Sequence, residues 1–433
     1  MRKRFTVVFS LLGLGFVSAQ NYVSDRVYMG SGYAHEVFYS LSQDSVGASL
    51  IKNWDLAFSV YGGNSNEFLS ILANHINGVT IYHNNIQANQ NNFDNLDTTG
   101  LHTWQKLYNT DTSWWYGAFN LEPYAHPQYS WATYTTNGTM TGRYIYVVEL
   151  ATSGQPPQYK KLWIKKKSSI SGSVSLEFVY ADLDGNNMHY LVYDNLQDQY
   201  PSKRYMFYSL RNNQPLDREP VRTAWDITFT RYLAPVSVGG STTMYPVTGV
   251  LANQGVQVAR VSGVLPADAQ PGMAPYSSAM NGIGYDWKYF NNSTFQWIIV
   301  DTLSYFLKDL NGSVWHLYFT DFGGQSNGMC AFEKKLVSTA ALNSSKDLQN
   351  FLVYPNPAGS ITYIVVTSQK ESVGSVGLQD LWGRLICTKT IALKEGFSAI
   401  PVPLEDIPNG VYTLTLSTTE GVMSTRLVVN HGP

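Results

Sequence analysis

The sequence Asn53-Trp54-Asp55-Leu56-Ala57-Phe58 returns at residues 224–229 as Ala-Trp-Asp-Ile-Thr-Phe. Large apolar residues occupy every second position in both copies: Trp54, Leu56 and Phe58, then Trp225, Ile227 and Phe229. Side chains on a strand alternate between its two faces, so each copy predicts a strand with three apolar side chains on a core. Asp55 and Asp226 would lie on the opposite face. There each Asp either satisfies nearby backbone amides or takes a catalytic or metal-binding role.

The repetition extends beyond these six residues. Phe38-Tyr39-Ser40-Leu41 precedes the first copy, and Phe207-Tyr208-Ser209-Leu210 precedes the second. Gly78-Val79 and Gly249-Val250 follow the two copies at equal distances. Three matching blocks in the same order indicate an internal duplication with a period of about 170 residues. A repeat of that length forms a whole domain with its own core, so we predict two tandem all-β domains at residues 20–190 and 191–340.

Residues 1–19 have the features of a signal peptide. Arg2, Lys3 and Arg4 form a basic start, an apolar run follows, and Val17-Ser18-Ala19 ends in a small residue of the kind that signal peptidase accepts. We predict cleavage after Ala19. No later segment is apolar enough to span a bilayer, so no transmembrane segment is expected.

Composition favours an exported β-protein. Aromatic residues make up 14% of the chain and charged residues also 14%, as expected of broad packed strand faces with little surface charge. The formal net charge of −2 gives no reason to expect nucleic acid as a partner. Two cysteines, Cys330 and Cys387, fall in different predicted domains, so a disulfide framework is not expected.

An aromatic loop lies in the first repeat. Between Trp104 and Trp131 the chain carries seven further Trp, Tyr and Phe residues, interrupted by Pro123 and Pro127. Such a loop either lines a ligand pocket or forms a buried lid over the sheet.

The last part of the chain reads as a separate domain. Residues 341–350 are small and polar, as in a linker, and alternating strands such as Val411–Leu416 and Thr425–Val429 follow within residues 351–433. This domain is predicted to be a small immunoglobulin-like β-sandwich. Its residues Tyr354-Pro355-Asn356-Pro357, Gly383-Arg384, Gly410-Val411-Tyr412 and the terminal Arg426-Leu427-Val428-Val429 resemble the C-terminal sorting domain of type IX secretion cargo. The resemblance implies recognition by the type IX secretion machinery of a Bacteroidetes-type bacterium, with release from the cell or attachment to its outer surface.

The two repeats resemble the HmuY family of haem-binding proteins. The resemblance is carried by the two Trp-Asp blocks and by Tyr305-Phe306-Leu307-Lys308, Asn311-Gly312 and Leu317–Phe322. It implies an all-β fold and a haem held between two histidines. The stretches where a family histidine would fall, 289–294 and 134–140, contain none. His126 and Met140, which flank the aromatic loop, are therefore the candidate haem ligands, since imidazole nitrogen and thioether sulfur are both accepted by haem iron.

The sequence carries no enzyme motif: no His-Glu-x-x-His helix, no Gly-x-Ser-x-Gly elbow and no phosphate-binding glycine loop. We therefore expect no catalytic residues, no metal site other than the possible haem, and a secreted or surface-attached binding protein. The leading hypothesis is a haem-binding or haem-binding-like protein. The alternatives are a structural or adhesive protein that keeps the fold without haem, and a glycan-binding protein that stacks exposed Trp and Tyr rings on sugars.

Overall fold

The computed structural model describes residues 21–61, 65–120, 124–338, 348–380, 385–418 and 421–431. The predicted signal peptide and most of the predicted linker lie outside these residues. Strands dominate the described chain, so the all-β prediction is confirmed.

The strands fall into four consecutive groups along the chain. The first is β1 (Val23–Tyr28), β2 (His35–Ser40) and β3 (Asp44–Leu50). The second is β4 (Leu56–Ser59), β5 (Ile71–Ala73), β6 (Val79–His83), β7 (Gln105–Leu107), β8 (Tyr124–Ala125), β9 (Gln128–Tyr129), β10 (Ala132–Tyr134), β11 (Thr139–Gly142), β12 (Ile145–Leu150), β13 (Gln158–Ile170), β14 (Ser173–Asp182), β15 (His189–Tyr193), β16 (Tyr205–Ser209) and β17 (Gln214–Leu216). The third is β18 (Ile227–Val238), β19 (Ser241–Ala252), β20 (Gln257–Ser262), β21 (Lys288–Asn291), β22 (Gln296–Ile299), β23 (Leu303–Lys308), β24 (Val314–Phe322) and β25 (Met329–Ser338). The fourth is β26 (Leu348–Tyr354), β27 (Ile361–Ser368), β28 (Ser372–Gln379), β29 (Leu385–Leu393), β30 (Gly396–Pro403), β31 (Gly410–Thr418) and β32 (Gly421–Val429).

Helical structure is confined to short turns. The α-helices are α1 (Ser65–Phe68), α2 (Gln90–Asp94) and α3 (Leu196–Gln199), and the 3-10 turns are Ser31–Tyr33, His75–Asn77, Leu101–Thr103 and Gly324–Ser326. None of the described helices is long and apolar enough to cross a membrane.

The second group of strands forms a lobe with its own core, here called the inner lobe (residues 51–216). One sheet has the order β7-β6-β12-β13-β11-β10-β9-β8, with β14 and β15 added beside β13, and a second has the order β17-β16-β4-β5. Leu56 and Phe58 of β4 pack in one continuous core with Trp131, Phe178 and Tyr208. This core lies entirely within one uninterrupted stretch of chain.

The first and third groups together form the outer lobe (residues 22–50 and 217–338). Its sheets have the orders β19-β18-β2-β3, β1-β25-β24-β23-β20 and β21-β22. Ile227 and Phe229 of β18 share a core with Tyr39, Trp287 and Phe332. The inner lobe is thus inserted in the chain of the outer lobe, after strands β1–β3 and before strands β18–β25.

The two repeats have exchanged their first hairpins. Tyr39 of the first repeat lies opposite Ile227 of the second, and Tyr208 of the second lies opposite Leu56 of the first. The predicted boundary between residues 190 and 191 therefore does not separate the two cores. The period-2 pattern identifies the buried face of a strand but not the strand it pairs with, which is why the sequence did not indicate the exchange.

The two repeated tryptophans lie outside the two large cores. Strands β4 and β18 begin at Leu56 and Ile227, two residues after Trp54 and Trp225. The prediction that each Trp shares the core face of its strand is therefore wrong. Trp54 packs edge-on against Phe207 with ring centroids 5.0 Å apart, and Trp225 packs edge-on against Phe38 at 5.1 Å. Each indole therefore covers the hairpin received from the other repeat.

The fourth group of strands forms the predicted β-sandwich. Its sheets have the orders β26-β27-β30 and β29-β28-β31-β32, and their facing sides share a core that includes Ile364, Val366, Leu378, Leu414 and Leu416.

Candidate functional site between the lobes

A cleft opens where the inner and outer lobes meet. It encloses about 700 Å³ of empty space, part of it open to solvent. Within it, the centre of a water molecule can occupy about 100 Å³. The inner lobe contributes Trp54 and the segments 72–76 and 109–114, and the outer lobe contributes chiefly residues 230–233 of β18.

Asp55 and Asp226 hold the exchanged hairpins beside the cleft. The Asp55 carboxylate accepts hydrogen bonds from the Arg211 backbone N–H (3.2 Å) and the Ser209 hydroxyl (3.3 Å). In the other lobe the Asp226 carboxylate accepts from the Leu41 backbone N–H (2.8 Å) and the Ser40 hydroxyl (3.3 Å). Of the two roles considered for these residues, the structure shows the satisfaction of backbone amides.

Two asparagines fix the backbone next to the repeated tryptophans. The Asn74 side-chain amide donates to the carbonyl of Trp54 at 3.0 Å, and that of Asn253 donates to the carbonyl of Trp225 at 2.7 Å. Asn74 also accepts from the Asn77 N–H at 3.2 Å and so begins the short turn that carries His75. Equivalent residues of the two repeats therefore fix the backbone of the cleft wall as well as the hairpins.

The floor of the cleft is aromatic. Trp114 of the inner lobe lies edge-on to Trp225 of the outer lobe at 6.0 Å, and its indole N–H donates to the Ala252 carbonyl at 2.8 Å. The Arg204 guanidinium lies 5.2 Å from the Trp114 ring. Trp54 and Trp114 both line the cleft, so a ligand there would contact indole groups.

Most polar side chains of the inner-lobe wall are already engaged. The His75 Nδ1 lies 2.9 Å from the Val79 carbonyl, and its Nε2 accepts from the Asn109 N–H at 3.3 Å. Burial lowers the pKa of His75 to about 4, so it is neutral near pH 7. The Asn109 side-chain oxygen accepts from the N–H groups of Ala73 (3.1 Å) and Ala118 (2.9 Å). These polar groups form hydrogen bonds within the wall and are not available to a ligand.

The outer-lobe wall offers one buried hydroxyl without a partner. Strand register places Glu36 and Tyr232 on one face of the sheet, and Arg231 on the opposite face with Phe229. The Tyr232 Oη is buried and has no hydrogen-bond partner among the described residues. Burial raises its pKa, so it remains a neutral hydroxyl that can donate. Glu36 forms an ion pair with Arg218 at 2.9 Å, and its carboxylate can accept further hydrogen bonds.

The predicted haem ligands lie elsewhere in the inner lobe. His126 is exposed, and its Nδ1 lies 3.3 Å from the Tyr129 hydroxyl. Met140 lies opposite Tyr134 on the neighbouring strand and is 6% exposed within the inner core. The two candidate ligands thus differ in exposure, His126 lying at the surface and Met140 inside the core, and haem binding by them stays a prediction. No group of three or more His, Cys, Asp or Glu in the described chain is placed to hold a metal ion.

The aromatic loop combines the two roles predicted for it. Phe119 and Trp131 are fully buried in the inner core, as a lid would be, whereas Trp114 lines the cleft. Tyr232 was missed because the sequence around it shows only a strand. Its position in a cleft depends on contact between the lobes, for which the sequence contains no signal.

Comparisons with known proteins identify the last domain. Residues 352–430 match the family described as "Secretion system C-terminal sorting domain", which confirms the predicted sorting domain. The protein is accordingly an all-β protein exported by type IX secretion to the cell surface or the exterior. No HmuY family match is found, so that resemblance stays a prediction.

Beyond the sorting-domain match, the comparisons give a remote structural similarity. No curated protein matches the chain. Among solved structures, dimeric latent PorU from Porphyromonas gingivalis is similar over 66% of this chain and 28% of its own, with 10% identity and a TM-score of 0.18. This chain thus spans well under a third of that protein, and the likeness carries no argument about fold or function.

Proposed function

We propose that this exported protein is a non-catalytic carbohydrate-binding protein and that its ligand is a neutral saccharide held in the cleft between the lobes. The observation that carries the proposal is that Trp54, Trp114 and Tyr232 line one cleft and that the Tyr232 hydroxyl has no hydrogen-bond partner among the described residues. A sugar ring has an apolar C–H face that stacks on aromatic rings and an edge of hydroxyls that hydrogen-bond. The cleft offers both kinds of contact.

Glu36 and Arg231 are the charged residues among the described lining of the cleft. Glu36 is already paired with Arg218, and the strand register directs Arg231 to the opposite face, where its guanidinium lies 5.6 Å from the Tyr33 ring. Arg231 also lines the cleft, has no ion pair among the described residues and leaves its Nε without a hydrogen-bond partner, so charge alone does not distinguish a neutral ligand from an anionic one. A sugar hydroxyl can accept from Tyr232 and donate to Glu36.

The test is a fluorescence and calorimetric titration of the signal-free chain with neutral oligosaccharides of glucose, mannose, galactose and N-acetylglucosamine. Quenching of tryptophan fluorescence is expected for the sugar that fits. Tyr232→Phe should weaken its binding about tenfold, because one hydrogen bond is lost. Tyr245→Phe, at a residue that is 57% exposed on β19, is the matched control and should leave binding unchanged. Equal affinity of wild type and Tyr232→Phe would contradict the proposed site.

Haem binding remains an expectation of the family resemblance, and the same protein tests it. Titration with haem followed by Soret absorbance, on wild type, His126→Ala and Met140→Ala, decides whether those residues act as iron ligands. A specific Soret band that either substitution removes would restore the haem hypothesis over the saccharide.

A second neutral aromatic surface supports an adhesive role. The hairpin β21–β22 pairs with no other described strand and exposes Tyr289 (55%), Phe290 (43%) and Phe295 (78%). Its root is fixed by Lys288, which donates to the Thr248 carbonyl at 2.7 Å. The hairpin turn, residues 292–295, is Asn-Ser-Thr-Phe, so insertion of the turn into a bilayer would bury three polar side chains without partners. A glycan has polar hydroxyl groups and apolar C–H faces, so it suits this surface better than a bilayer does.

The hairpin is tested separately from the cleft. Tyr289→Ala combined with Phe295→Ala should reduce adhesion of the protein to surfaces coated with neutral polysaccharide, while solution binding of the cleft ligand persists. Tyr245→Ala, another exposed tyrosine, serves as the control. Unchanged adhesion of the double variant would remove the hairpin from the proposal.

A further inference from the structure

The two outer faces of the sorting domain have opposite chemistry. In a β-sandwich the inner faces pack together and the outer faces alternate toward solvent, where polar side chains are the norm. Ile364 and Val366 of β27 point inward and are fully buried. The residues at the alternate positions of each strand point outward. The outward residues of the two sheets differ in polarity.

The outer face of β26-β27-β30 is almost entirely apolar; we call it the apolar face. Tyr354 lies opposite Tyr363, and Leu352 opposite Val365. Phe397 of β30 continues the same face opposite Thr367. Leu352, Tyr354 and Phe397 are 63%, 74% and 70% exposed. The outward positions of this face described by the strand register are Leu352, Tyr354, Ile361, Tyr363, Val365, Thr367, Phe397, Ala399, Pro401 and Pro403.

The outer face of the other sheet is rich in hydroxyl groups. Ser375 lies between Ser417 and Thr390, and Gln379 lies opposite Thr413. This is the pattern of a sheet face that stays in water. The contrast within one small domain shows that the apolar face is not a general property of its strands.

We propose that the apolar face is the surface on which the type IX secretion machinery docks. Uncharged aromatic and aliphatic side chains exposed together on a sheet mark an interaction surface, because their exposure to water costs free energy that a partner recovers. The match of residues 352–430 to sorting domains supplies the partner, since a sorting domain must be bound by the system that exports it. The hydroxyl-rich face exposes Val373 and Leu385 but no aromatic side chain at its described positions, and aromatic residues are the stronger anchors. This inference rests on the sorting domain and is independent of the proposed saccharide site.

The test is export of the full-length protein from a bacterium that has a type IX secretion system. Leu352→Ser combined with Phe397→Ser should lower the amount outside the cell about tenfold and leave the protein in the periplasm, as expected for the loss of two apolar anchors. Val373→Ser is the matched control, because Val373 is also apolar and 64% exposed but belongs to the other sheet. The control should be exported like wild type.

Folding is measured on the same variants. Both substituted side chains are exposed, so the thermal melt of the purified protein should not change, and each single variant should show an intermediate export defect. Normal export of the double variant would overturn the proposal. A second result would also overturn it: a wild-type dimer that dissociates in the double variant, with export unaffected. The apolar face would then bind a second copy of this chain.

Discussion

At the scale of single residues, burial sets the titration of two histidines. His316 is 2% exposed and stacks on Phe306 with ring centroids 4.4 Å apart. Its Nδ1 lies 2.7 Å from the Tyr22 hydroxyl, and its Nε2 has no partner among the described residues. Burial lowers the pKa of both His75 and His316 to about 4. In the unfolded chain, by contrast, both histidines take up a proton near pH 6.5. Acid therefore lowers the free energy of unfolding.

We predict that the stabilising effect of His316 is complete above pH 6.5 and is lost as the pH falls toward about 4. A pKa difference of this size corresponds to about 3 kcal/mol of unfolding free energy. His316→Phe keeps the stacking on Phe306 and removes the titration. Urea unfolding from pH 7 to pH 4 should therefore show a shallower loss of stability for His316→Phe than for wild type. His102→Gln, at an exposed histidine, is the control. An unchanged pH slope in His316→Phe would contradict the prediction.

The equivalent aspartates of the two repeats should respond differently to the same substitution. Asp55→Asn removes the anion that pairs with Arg211 and should cost about 3 kcal/mol of unfolding free energy. No cation among the described residues pairs with Asp226, and burial raises the pKa of its carboxyl, so its charge is unfavourable in the folded state. Asp226→Asn can still accept from the Leu41 N–H and should cost less than about 1 kcal/mol. Equal losses in urea unfolding would show that the ion pair contributes little.

At the scale of elements, aromatic side chains from the two lobes contact each other where the lobes meet. Trp114 and Trp225 belong to different lobes and touch edge to face. The duplicated sequence predicted strands β4 and β18 and the buried face formed by Leu56, Phe58, Ile227 and Phe229, but not the position of Trp225. It did not predict the exchange, because residues 38–41 and 207–210 have the same sequence, and the pattern does not assign either hairpin to a partner strand.

Substitutions on the two sides of this contact should not be additive. In a double-mutant cycle, Trp114→Ala and Trp225→Ala should show a coupling of about 0.5–1.5 kcal/mol, as measured for aromatic pairs. Trp131 and Trp287 belong to the separate cores of the inner and outer lobes. Their Ala substitutions should add to within about 0.5 kcal/mol and provide the comparison. Thermal or urea unfolding measures all six variants, and an additive Trp114–Trp225 pair would argue against a shared contact.

At the scale of the whole molecule, the inserted lobe gives a prediction about fragments. Residues 51–216 contain every member of the inner core, whereas residues 20–190 lack Met206, Tyr208 and Leu210 and contain β1–β3 without their partners. The fragment 51–216 should therefore melt cooperatively, and the fragment 20–190 should not. Circular dichroism during heating distinguishes them. A cooperative melt of 20–190 alone would mean that the hairpins can pair within their own repeat.

The fold class, the sorting domain and the final destination of the protein were predictable from sequence because strand alternation and short motifs are local signals. The cleft was not, since Tyr232 and Trp114 meet only after two lobes have packed. His126 and Met140 were selected for their ligand chemistry. That chemistry does not reveal whether a side chain is exposed, as His126 is, or enclosed in a core, as Met140 is.

The insertion of one lobe into the other also sets an order of assembly during synthesis. Strand β2 is made early, but its partner β18 begins at Ile227, and β1 pairs with β25, which begins at Met329. The inner lobe can close once Leu216 has emerged, while the apolar strands of the first hairpin still lack partners. Unpaired strand edges of this kind attract chaperones and proteases. A nascent chain halted before Met329 should therefore carry a protease-resistant inner lobe beside a first hairpin that is still cleaved, with the sorting domain not yet made.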